Sequence, residues 1–193
     1  RIFSPAFRLV ELHVDGETQG FYLLIDKVTE SLERDYGSLR SVIRRSLDMR
    51  GDLPEIKVGR SSEEEALDEY NDLLTDAEGP TGEALVRLLE DRLDLDAYLR
   101  WLAFNIAVQS GDYVDELWLF ATDSLAEDGT TVGRFGLIGW DPDDLLAPCH
   151  YLGEFEITDP WGLLYCTESV LDHIILSDAV VYKRYVDILG EIL

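Results

Sequence analysis

Four carboxylates carry the chemistry this sequence could do: Asp112, Glu116, Asp141 and Asp143. The last two sit in Trp140-Asp141-Pro142-Asp143-Asp144, directly after the short apolar run Phe135 to Trp140. Such a run reads as a buried strand, and the proline ends it because it cannot donate to a ladder. Acids at the mouth of a strand suit a hard divalent cation, which takes oxygen ligands. The plainer alternative for this stretch is a solvated acidic turn.

What decides between the two is the element upstream. Ser110-Gly111-Asp112-Tyr113-Val114-Asp115-Glu116 leads into a strand, Leu117 to Ala121, and the polar segment Thr122 to Gly133 returns the chain into Arg134 to Gly139. An antiparallel hairpin of this kind places Asp112 and Glu116 at one end of its first strand and Asp141 just past the end of its second. Two acidic clusters then converge on one place.

Other chemistries find little support. His13, His150 and His173 are scattered, with no HExxH pair and no serine elbow; His150 is near enough to the acidic loop to be weighed as a ligand. Cys149 and Cys166 have no CxxC spacing, which argues against zinc and leaves a disulfide or two buried thiols open. Gly16 to Gly20 holds neither GxGxxG nor GxxxxGK, so a tight turn is favoured over a phosphate loop. Acidic DPDDLL lacks the central Gly and terminal Glu of an EF-hand loop, which weakens a purely calcium-stabilised domain.

The remaining elements frame this hairpin. Arg8 to Val14 alternates apolar and polar residues, Gly20 to Val28 is a second strand-like run, and Asp15-Gly16 between them predicts a hairpin turn. A short helix over Thr29 to Tyr36 closes at Gly37, and Ser38 to Arg45 reads as a further strand. Arg40, Arg44, Arg45, Arg50 and Arg60 form the most basic region, suited either to phosphate or to balancing nearby acids. Ser62 and Glu65 match a capping box for a helix, and a second helix follows Glu78-Gly79-Pro80. Asp94 caps Leu95 to Gln109, whose apolar residues cover nearly the whole circumference and predict a central buried helix with Asn105 as its polar exception. Pro148 to Pro160 reads as an irregular loop, and Gly162 to Leu193 as a final helical region.

Composition sets the outer limits. A chain of 193 residues, 46% hydrophobic, can build one good-sized core or two small lobes. With 40 acids against 16 bases the formal charge is −24, which argues against nucleic acid or an anionic membrane as partner. No run of 18 apolar residues exists, so no membrane span is expected. The chain opens at Arg1 and stops inside a helical pattern, which reads as a fragment of something longer.

Four segments, in this order, resemble the CotH family, spore-coat-H-like proteins with an atypical protein-kinase-like fold. Val14-Asp15-Gly16-Glu17 with Gly20-Phe21-Tyr22-Leu23-Leu24-Ile25-Asp26 is similar to that family's hairpin. Leu95-Asp96-Ala97-Tyr98-Leu99-Arg100 with Asn105 and Gly111-Asp112 resembles its helix and catalytic loop, and Ile138-Gly139-Trp140-Asp141-Pro142-Asp143 its "PWDlD" element. Tyr182-Lys183-Arg184-Tyr185 with Ile188-Leu189 resembles its closing helix. The WD-x-D element with the upstream Asp is the most specific of these.

The resemblance implies an α+β architecture in which a small N-terminal hairpin lobe, residues 1–60, packs on a mainly helical lobe, residues 61–193, with the site between them. It implies phosphoryl transfer from ATP with Mg2+ or Mn2+ to Ser or Thr of a protein substrate, in an extracytoplasmic or cell- or spore-surface setting. Asp112 matches the catalytic-loop acid that receives or orients the substrate hydroxyl proton. Asp141 matches the metal-binding acid, and Asp143 would join the metal shell. At three positions the chain departs from the family pattern. Glu116 stands where Asn is usual, Asp26 where the hairpin ends in Glu, and Arg44 about where a Lys is found. As a metal ligand Glu116 adds charge near the phosphates. Arg44 and Asp26 are the expected nucleotide- and phosphate-binding residues, Arg44 holding phosphate in a bidentate way that lysine does not and Asp26 reaching one methylene less far than Glu. These departures support the alternative of a degenerate cation- or nucleotide-binding interaction module without turnover.

Overall fold

A computed structural model describes residues 3–37, 39–45, 55–111, 113, 117–125, 129–139, 144–147 and 169–193. The first element is the expected hairpin, β1 (Phe7–Val14) paired antiparallel with β2 (Glu17–Ile25). Its two-residue loop puts Asp15 at φ 53° and Gly16 at φ 86°. Two successive positive φ values are what a type I′ turn needs, and Asp-Gly supplies them at little steric cost. The hairpin forms a sheet of its own, and large apolar side chains stand exposed on both of its faces, among them Phe21 at 71% and Leu9 at 70%.

The other sheet has the order β4 (Glu55–Val58), β3 (Ser41–Arg44), β5 (Leu117–Leu125), β6 (Thr131–Gly139), with every neighbouring pair antiparallel. It therefore draws strands from both sides of residue 60. Side-chain alternation gives it two apolar faces. Val42, Phe120 and Ile138 pack with Phe3 and with Leu32 of α1 (Val28–Tyr36) on one side. Ile43, Leu119 and Leu137 join the helices on the other. Strand β4 was not anticipated from the sequence, because Lys57 and the flanking Pro54 and Gly59 break the pattern of a buried strand.

Five helices cover the second face: α2 (Glu63–Ala77), α3 (Glu83–Arg92), α4 (Leu95–Ala107), α5 (Val170–Ser177) and α6 (Ala179–Ile192). The expected capping box is present, with Ser62 Oγ accepting from Glu65 N at 3.2 Å and Glu65 Oε2 accepting from Ser62 N at 2.8 Å. Helix α4 is the centre of this layer, with Tyr98, Leu99, Leu102 and Ala103 fully buried, although Phe104 faces outward. The described part of the final helical region divides at Asp178, whose extended backbone ends α5 and whose carboxylate caps α6. The molecule is thus α+β, an antiparallel sheet with α1 on one face and the helical layer on the other. No described helix is long and apolar enough to cross a membrane.

Candidate functional site

Helix α4 and the β5–β6 hairpin together fix where the acidic segments emerge. Asp94 N donates to Phe135 O at 2.8 Å, which moors the start of α4 to β6, and Asp94 Oδ1 accepts from Ala97 N at 3.2 Å to cap the first turn. The helix then runs to Val108 and Gln109, and Gln109 turns the chain with a positive φ of 50°. Inside it the buried Asn105 amide donates to Trp101 O at 2.9 Å, while Asn105 O accepts from Ser110 N at 2.9 Å. Asn105, the buried amide of α4, thus ties its side chain back into the helix, and its backbone carbonyl holds the turn toward Gly111.

Two contacts bring the acid-bearing segments together. In the β5–β6 ladder Leu117 stands opposite Gly139, so the chain enters β5 and leaves β6 at the same end of the hairpin. Gly111 N donates to Asp144 O at 3.0 Å, and Leu146 N and Ala147 N donate to Val108 O and Gln109 O at 3.0 and 3.1 Å. Gly111 precedes Asp112, and Asp144 follows Asp143. The segment after the WD-x-D element is thus stitched to the segment before Asp112. Asp112, Glu116, Asp141 and Asp143 themselves lie outside the described residues, as do Arg50, Cys149, His150 and Cys166.

Arg44 ends β3 opposite Trp118 of β5, next to Leu117, so its backbone lies at that same end of the sheet. Its side chain is half-buried. Asp26 follows β2 and is half-exposed; it accepts from Arg34 Nη1 at 3.2 Å. Of the other arginines in the basic region, Arg40 bridges Glu69 at 2.9 Å and Asp123 at 3.2 Å, and Arg60 pairs with Asp123. These two balance acids, the second of the two roles open to them. They line a polar cavity of about 590 Å³ with Glu65, Asp68, Glu69 and Arg92. That cavity also touches Thr131 and Val132, at the turn end of the hairpin, away from the Leu117–Gly139 end.

Arg45 also balances an acid, but inside the core. Its side chain is fully buried, with Nη1 donating to Tyr98 Oη at 2.6 Å and lying 3.4 Å from Asp172 Oδ2. Tyr98 Oη donates in turn to Asp172 Oδ1 at 2.6 Å. Burial works against the guanidinium's charge, but Tyr98 and Asp172 outweigh it and hold its pKa above the ordinary arginine value. Burial also pushes the Tyr98 hydroxyl well above the usual tyrosine range, so it remains a donor. Sequence reasoning grouped Arg45 with the surface arginines. The one available signal was alternation along β3, which sends Arg45 to the side of Ile43, the helical core, and Arg44 to the other.

The donor set of the convergent segments is all carboxylate, which fits magnesium or manganese and not a soft metal. Among the described residues no three His, Cys, Asp or Glu side chains are grouped to hold a metal. No curated protein matches this sequence. The family model described as CotH kinase protein matches residues 1–193, the whole of the chain, and the protein therefore belongs to the CotH kinase family.

Proposed function

We propose that the protein transfers the γ-phosphoryl group of ATP to a Ser or Thr hydroxyl of a protein substrate, in the atypical kinase-like manner of its family, with Mg2+ or Mn2+ at Asp141 and Asp143. The observation that carries this reading is the stitching of Gly111 to Asp144 together with the pairing of Leu117 with Gly139. It brings the segment bearing the family's catalytic acid beside the segment bearing its metal acids. When bound, the cation offsets phosphate charge that so acidic a site would otherwise repel.

The chain's own residues have distinct tasks in this scheme. Asp112 orients the substrate hydroxyl and takes its proton as the new oxygen–phosphorus bond forms and the bond to the β-phosphate oxygen breaks, leaving ADP. Arg44, at the same end of the sheet, supplies positive charge toward the phosphates. Glu116 adds an anionic ligand where a neutral amide is usual in the family, which raises the demand for metal. Asp26, paired with Arg34, supports the link between the hairpin and α1.

Calorimetry of ATP binding with magnesium, manganese and calcium in turn, on wild type beside Asp141→Asn, tests the proposal. Metal-dependent binding that is lost in Asp141→Asn, with turnover reduced about 1,000-fold in Asp112→Asn while binding persists, is the expected result. Binding without turnover in the wild type would instead indicate a nucleotide-binding interaction module. A folded protein that binds ATP with none of the metals would overturn the phosphotransferase reading and favour an interaction module.

A further inference from the structure

The described core holds an ion pair close to the start of β5, and one indole ring lies between it and Tyr113. Arg45 Cζ stands 5.0 Å from the centroid of the Trp101 ring. The same ring meets Tyr113 edge-on, with centroids 5.3 Å apart and planes at 73°. On β6, a Cβ built on Gly139 would lie 3.8 Å from Trp101 Cδ1, in ordinary van der Waals contact. Tyr113 is the residue after Asp112, and Gly139 is two residues before Asp141. Arg45 N also donates to Leu117 O at 2.9 Å, which fixes the start of β5 to the same arginine.

We propose that Arg45, held by Tyr98 and Asp172, is a positioning residue: through the plane of Trp101 it sets the spacing of Tyr113 and Gly139, the described residues from which the two acid-bearing segments continue. This rests on the phosphotransferase reading above. An ion pair with no solvent access at either side chain is a costly way to fill a core, since apolar residues of similar volume commonly stabilise as well or better. What apolar residues cannot do is fix an aromatic plane. The guanidinium can, because it is locked by a directional pair on one side and attracts the face of the indole on the other. Tyr113, which Trp101 meets, and Gly139, which it lies beside, adjoin the acids whose mutual placement decides whether a phosphoryl group and a hydroxyl meet in line. A displacement of about 1 Å there costs on the order of 100-fold in rate.

The test removes the three side chains together: Arg45→Met, Tyr98→Phe and Asp172→Val in one chain. We expect this variant to unfold cooperatively at a melting temperature near that of wild type. Its apparent KM for Mg2+-ATP should stay within about threefold, while kcat falls on the order of 100-fold. Arg45→Lys keeps the charge but not the planar stack, and should lower kcat in the same way while the protein stays folded. Should the triple variant fail to fold, Trp101→Phe serves in its place, with an expected loss in kcat of about tenfold at unchanged KM. A folded triple variant, or a folded Trp101→Phe, with wild-type kcat would overturn the positioning role and leave the phosphotransferase reading standing. A wild-type protein without turnover would remove that reading and this one together.

Discussion

Phe120 and Gly136 face each other across β5 and β6, and a Cβ on Gly136 would stand 2.3 Å from Phe120 Cζ. The ring therefore occupies the space that a side chain on the opposite strand would fill. Phe120 also closes the small core on the α1 face, meeting Phe3 with centroids 6.3 Å apart and Tyr36 at 4.8 Å. Because Gly136 is on the strand that delivers Asp141, its substitution strains the element on which the site depends. Gly136→Ala should destabilise the fold by about 1–3 kcal/mol in urea denaturation, the usual cost of overpacking. Gly190, exposed near the end of α6 with nothing within 4 Å of its Cβ position, is the control. Gly190→Ala should be neutral or stabilise by up to about 1 kcal/mol, since it only lowers the entropy lost on forming the helix. If both substitutions have the same effect, the Phe120 contact does not set the cost.

How much of this arrangement could be read from the chain depends on how local its causes are. The Asp15-Gly16 turn, the Ser62–Glu65 box, the Asp94 cap and the all-round apolar α4 are decided within a few residues, and each stands where those residues indicate. The convergence of the two acidic segments needed one further step, the antiparallel register of β5 and β6, which a single polar connection between two apolar runs implies. For Arg45 only the side of the sheet was legible, from alternation along β3. The partners that let an arginine stay buried there, Tyr98, Trp101 and Asp172, are 53, 56 and 127 positions away in the chain and leave no local signal. Strand β4 was missed for a related reason: it borders the sheet at its edge, where pairing with β3 and not a hydrophobic run defines it.

The β1–β2 hairpin combines a well-specified turn with little packing. Phe7, Leu9, Phe21, Leu23 and Ile25 share one face by the register of the ladder, and each is at least half exposed. A two-stranded ribbon on its own is marginally stable in water. Its amides should accordingly exchange with deuterium much faster than those of Leu119 and Ala121, which lie on the inner strand β5 of the four-stranded sheet and have buried side chains. Exchange followed by mass spectrometry at neutral pH separates the two sheets directly. Equal protection in both would mean that the hairpin is covered in solution by something that packs on its apolar faces.

Asp178 joins two helix N-termini. Its Oδ1 accepts from Val180 N at 2.9 Å and Val181 N at 3.2 Å, while Oδ2 accepts from Gly82 N, the N-cap of α3, at 2.7 Å. Burial opposes its charge, but these backbone donors outweigh it and hold the carboxyl below the usual aspartate range. A carboxyl whose pKa is depressed on folding stabilises above its unfolded value, about 3.9, and loses that contribution as pH falls through the lower, folded value. Asp178→Ala should therefore cost about 1–2 kcal/mol at neutral pH, and the gap to wild type should narrow below about pH 4. Asp178→Asn has one acceptor oxygen in place of two, so it should fall between them and show no such narrowing. Denaturant unfolding of the three proteins at pH 7 and pH 3 decides the matter, because the other acids of this highly charged chain cancel in the difference. A gap between wild type and Asp178→Ala that is the same at both pH values would rule out the ionised carboxylate as the link between α3 and α6.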